Sequence, residues 1–177
     1  MAKAPYPLFL RGGAFLAVLF ALISAGDVSA QRKPDANMAQ LMRGTLYPAS
    51  NVLFAAQDDL SKQPKPSDAA TSPNPLTNTY GGWQAVENAG LAIAEMSRLL
   101  TVPGCLCSSG YPAPVARADW IRFTADLRKS GMAAYEAAKK KDKDAIVDVA
   151  GTVSDACGAC HEVYREKKGG DKDRCLP

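Results

Sequence analysis

Alternating apolar and polar residues, the signature of a half-buried strand, are sustained nowhere in this chain, so no sheet is expected. Phosphate-cradling glycine loops and dinucleotide fingerprints are also missing, which excludes the common nucleotide-binding folds. No general base, nucleophile and substrate pocket can be assembled, and we expect no enzyme. Histidine is almost absent: His161 is the only one in 177 residues. No apolar run reaches the roughly twenty residues that a membrane-spanning helix needs.

The longest such run, AFLAVLFALISAG, follows a start that carries Lys3 and Arg11 and precedes VSA, with small residues at 28 and 30. A charged start, a short apolar core and a small-residue cleavage site make a secretory signal peptide over residues 1–30, cut between Ala30 and Gln31. The expected location is the periplasm, with no stable membrane insertion after cleavage. The remaining chain, 31–177, reads as one domain. It keeps 19 basic and 17 acidic residues, too even a balance for nucleic acid, which demands a concentrated basic surface. The dense cluster KKKDK at 139–143 contains its own Asp and reads as a solvated helix end and turn.

What is there is helical periodicity. A first pattern covers about 36–62, with Asp35 as N-cap and Met38, Leu41, Met42, Thr45 and Leu46 at helical spacing. Pro48 should kink it. Breaker-rich loops separate three more patterns, at about 82–100, 118–141 and 143–167. Their apolar positions include Trp83, Val86 and Ile93; Trp120, Ile121, Phe123, Leu127, Met132 and Tyr135; and Ile146, Val149, Val153, Cys157, Cys160 and Tyr164. The expected fold is all-α, an antiparallel up-down-up-down four-helix bundle.

The last pattern carries CGACH, with Cys157, Cys160 and His161 within five positions. A tetrahedral zinc site needs four converging ligands. Cys160 and His161 are consecutive, an awkward geometry for one small ion, although Cys105 and Cys107 could supply two more thiolates. A thioredoxin-like pair would sit at a helix start in a βαβ context, and none is present. The third reading is covalent attachment of one haem c, for which C-x-x-C-H is the signature. Two thioether bonds hold the porphyrin edge and the neighbouring imidazole reaches the iron. Export fits, because a covalently held haem is not lost outside the cell.

With CGACHEVYR on the last helix and QLMRG on the first, the chain resembles the class II c-type cytochromes, the group that includes cytochrome c′. The resemblance spans the whole mature chain through the four-helix plan. It implies a haem attached to the C-terminal helix, and its usual Tyr-Arg after the motif is matched by Tyr164 and Arg165. Arg165, four residues after His161, can lie over the imidazole or a propionate. Tyr164 reads as core packing.

The sixth ligand decides the function. In an up-down-up-down bundle, Met42 lies ~9 Å from the start of the first helix and His161 ~9 Å from the end of the fourth, so the two share a level. A thioether opposite histidine suits electron transfer. The low-spin members of the family place a methionine at the position matching Met42, and the five-coordinate members an occluding apolar residue. Met38, one turn earlier, is the other candidate, and methionine is also a common core filler. The expected function is a periplasmic electron carrier with His161–iron–Met42 ligation, serving periplasmic redox partners as monomer or homodimer. The alternative is a five-coordinate protein that binds NO or CO, and a third reading is a zinc-stabilised binding module.

Cys105 and Cys107 fall between the second and third helices and Cys175 just past the fourth. The topology brings these segments to one end. A disulfide from Cys175 to either is feasible and contributes on the order of 2–4 kcal/mol. One thiol stays free in any monomeric scheme.

Overall fold

Asn37, rather than Asp35, opens the first helix of the computed structural model, which describes residues 33–176. The expected signal peptide and cleavage point lie outside these residues. The Asn37 side chain accepts from the Gln40 N–H at 3.0 Å, and Gln40 Oε1 accepts from the Asn37 N–H at 2.8 Å. This reciprocal box satisfies two otherwise free amides. Asp35 lies two residues too early to make it.

The helix is built of three segments: α1 (Met38–Leu41), a π-helical turn (Met42–Leu46) and α2 (Tyr47–Ala55). Pro48 has no N–H to give the carbonyl of Gly44, and its ring crowds that carbonyl. The wider turn relieves the conflict: the Tyr47 N–H bonds back to Met42 O, five residues away. The disturbance expected at Pro48 is therefore absorbed one turn earlier, and the helix runs on through it. It ends at Ala55, not near 62. Beyond it, Asp59 accepts from the backbone N–H and hydroxyl of Ser61 at 2.9 and 2.7 Å, a local turn that competes with helix.

Three long helices follow: α3 (Trp83–Leu99), α4 (Ala118–Lys140) and α5 (Lys143–Tyr164). Asp142 caps α5 by accepting from the Ala145 N–H at 3.0 Å. The last helix stops three residues early, where the N–H groups of Arg165 and Glu166 both close on His161 O at 2.8 Å. The four helices pack against each other around one core that includes Leu53, Val86, Ile93, Trp120, Leu127, Ile146 and Val153. Among the described residues there is no strand, only an isolated bridge between Leu106 and Pro112.

Small residues make the α3–α4 seam. A Cβ on Gly131 would stand 2.7 Å from Ala94 N and 2.9 Å from Gly90 O; one on Gly90 would stand 2.6 Å from Tyr135 N. The backbones touch. Ser130, Gly131, Ala134, Ala137 and Ala138 are buried along this stretch of α4. Ile121, expected on the apolar face, is 50% exposed, and Met132 and Tyr135 are half-buried. The seam accepts little beyond a methyl, so larger side chains turn away from it. Gly131→Ala should cost about 1–3 kcal/mol through overpacking. Urea unfolding should show a lower midpoint at an unchanged m-value.

Candidate functional site

Eight residues of the first helix, at 38, 39, 42, 43, 46, 47, 50 and 54, line a cavity of about 530 Å³. That is within the usual range for cofactor and small-molecule sites, roughly 300–1,000 Å³. Trp120, Phe123 and Leu127 of α4 line it, as do Cys157, Cys160, His161 and Tyr164 of α5. Met38, Met42 and Arg165 line it too, so every site residue expected from the sequence opens onto one space. Met38 is buried and Met42 half-buried.

The electrostatics are one-sided. The charged side chains lining the cavity are Arg43, Arg165 and Arg174, with no carboxylate among the lining residues. Burial holds the His161 pKa below its usual value, and the Arg165 charge adds to that. The imidazole is therefore neutral at pH 7, the form that binds metals. Arg165 Nη1 lies 3.5 Å from His161 Nδ1. Burial also pushes the Cys157 thiol up, and burial, with Cys157 and Asp119 nearby, pushes Cys160 up to about 11. Reactive redox cysteines show the opposite shift.

Tyr164 packs and also lines the cavity. It is 3% exposed and meets Trp120 edge-on, with ring centroids 4.9 Å apart. Its hydroxyl accepts from Arg117 Nε at 2.9 Å, and Arg117 pairs with Asp119 at 3.1 Å. Trp120 is itself fixed by its Nε1–H, which donates to Leu100 O at 2.9 Å.

Cys107 and Cys175 form a disulfide with Cα atoms 6.3 Å apart, which selects one of the two pairings open to Cys175. Cys105 is the buried free thiol. With Cys107 in a disulfide, a four-thiolate zinc site loses a ligand, and no group of three or more His, Cys, Asp or Glu converges among the described residues. Sequence reasoning missed Arg174. Its Nε is buried without a hydrogen-bond partner, beside the cavity. Only its neighbour Cys175 hinted at a tail folded back on the bundle.

The residues fit a haem c. Two thiols and an imidazole stand on one helix, two thioethers on another, aromatic and aliphatic side chains supply walls for a flat apolar ring, and arginines await its carboxylates. The orphaned Nε of Arg174 is a donor in want of an acidic group. Comparison with protein-family models, curated proteins and solved structures finds no match for this chain, so the reading rests on its own residues and geometry.

The Arg117–Asp119 pair gives a pH signature. Its hydrogen bond to Arg117 holds the Asp119 carboxyl down to about 2, against an ordinary 3.8. A depressed carboxyl contributes stability that is present above the unfolded pKa and lost as pH falls through the folded one. Thermal stability should therefore decline between about pH 4 and pH 2, and Asp119→Asn should flatten that decline in a melting series.

Proposed function

We propose that the protein is an exported, periplasmic electron carrier. On this reading it is an antiparallel up-down-up-down four-helix bundle that would hold one haem c through Cys157 and Cys160, with His161 and Met42 as the residues that would ligate its iron. The observation that carries it is the shared cavity: Cys157, Cys160 and His161 face it from α5 and Met42 from the first helix. Contact order supports the topology. Gly90 of α3 and Leu100 just past its end meet Tyr135 and the earlier Trp120 of α4; Ser130 and Arg117 approach Thr152 and the later Tyr164. No helix among the described residues is long and apolar enough to cross a membrane.

When bound, haem c supplies a one-electron iron couple, whose potential a methionine ligand raises. The chain's own residues do the rest. Cys157 and Cys160 anchor the group, and the neutral His161 offers Nε2. The proton then resides on Nδ1, which can no longer accept from Arg165; the guanidinium, having only donors, is free to turn to a carboxylate. Leu46, Phe123 and Leu127 keep water from the ring. The wall carries no carboxylate, so the lining would add no negative charge beside a bound haem.

The gas-binding alternative differs only at the sixth ligand. Optical spectra of the matured holoprotein, oxidised, reduced and exposed to CO, separate the two. We expect a low-spin spectrum, a methionine-to-iron charge-transfer band and no response to CO. Met42→Ala should abolish the band and Met38→Ala should keep it. A high-spin spectrum that shifts with CO would move the protein to the gas-binding class. A preparation that stays colourless when haem c maturation is supplied would refute the haem reading.

A further inference from the structure

We propose that Arg174, held over the cavity by the Cys107–Cys175 disulfide, is the principal partner of a haem propionate. The inference rests on the haem reading above and adds a residue that lies outside the attachment motif and outside the helices.

Three arginines line the cavity, and their surroundings differ. Arg43 is exposed on the first helix. Arg165 is 54% exposed, pairs with Glu166 at 3.3 Å and leans on His161. Arg174 is the least exposed, at 26%. Its Nη2 lies 2.7 Å from Asp171 Oδ1 in an ion pair, and Nε is buried without a hydrogen-bond partner. Nε and Nη2 are the two nitrogens of a guanidinium's side-on fork, which can grip a carboxylate through two parallel bonds. A buried guanidinium N–H without an acceptor is rare in folded proteins. A carboxylate delivered by a bound group completes it.

The tail is fastened at several points around this side chain. After the short 3-10 helix Gly170–Asp173, the Arg174 carbonyl accepts from Ser109 Oγ at 3.1 Å. The Cys175 N–H donates to Tyr164 O at 2.8 Å, and Cys175 is bonded to Cys107 across 68 residues of chain. Cys175 takes a left-handed backbone, φ 67°, which turns the chain here. The backbone that carries the guanidinium is thus fixed before any ligand arrives, so that part of the ordering cost is not left to binding.

The test uses the full-length, haem-loaded protein. Its reduction potential is measured across a pH series, and the inflection from the propionate is located. A neighbouring cation lowers a carboxyl pKa by roughly 1–3 units. Arg174→Gln should therefore move the inflection up by about one unit or more. Arg174→Lys, which keeps the charge, should move it less. The double variant Cys107→Ser/Cys175→Ser should shift it in the same direction as Arg174→Gln, because the tail is released. Arg165→Gln should move it less than Arg174→Gln does. An unmoved inflection in a low-spin Arg174→Gln holoprotein, or a larger shift in Arg165→Gln, would overturn the assignment while leaving the haem reading intact. A wild-type inflection in the double variant would overturn the tether. A colourless wild-type protein would overturn the haem reading and this assignment with it.

Discussion

Backbone contact between Gly90 and Gly131 governs the rest of the structure. It draws α3 and α4 together along the stretch of α4 that carries only small buried residues. Toward the start of the same helix the buried side chains grow to Leu127, Phe123 and Trp120. The cavity lies toward that end of α4, between α4, α5 and the first helix, with Leu100, just past the end of α3, also on its wall. The Trp120 hydrogen bond to Leu100 O ties the start of α4 to the end of α3.

The cavity in turn sets the chemistry of the last helix. Burial raises the thiols of Cys157 and Cys160 and lowers His161, for one physical reason: each charged form loses water. Three groups that could be thiolate, thiolate and imidazolium in solution are neutral here. Raised thiol pKa values run against thiol redox exchange, which wants a thiolate, and the neutral imidazole is free to act as a ligand. The arginines at the wall supply positive charge without offering a lone pair to a metal.

Much of this was legible in the sequence because it depends on local pattern. The spans of the three long helices follow from apolar spacing and from the breaker-rich loops between them, and α3 is offset by only a residue at each end. The cysteine pair and histidine were legible because they are contiguous. The exposure of Ile121 was not, since apolar spacing does not say which of two adjacent large residues, Trp120 or Ile121, turns inward, and the structure buries Trp120. Arg174 was invisible for a related reason. An arginine in a polar tail looks solvated until a disulfide folds the tail onto the bundle, and two partners for Cys175 were equally consistent with the spacing.

The first helix shows how one residue can shape a site without touching it. Its cavity-lining positions, at 38, 39, 42, 43, 46, 47, 50 and 54, include a series spaced by four: Met38, Met42, Leu46, Ser50 and Phe54. In a regular α-helix each step of four overshoots a full turn by about 40°, so four steps would carry Phe54 roughly 160° away from Met38. The π turn at Met42–Leu46 holds more residues per turn and therefore takes back part of that rotation. All five side chains remain on the cavity wall. The turn exists because Pro48 cannot bond to the carbonyl of Gly44. Pro48 itself is exposed and outside the cavity lining, yet it sets the phase between Met42 and the apolar side chains that follow it. The methionine and the wall that shields it are therefore placed by one backbone adjustment, which links the irregularity in the helix to the side of the cavity facing His161.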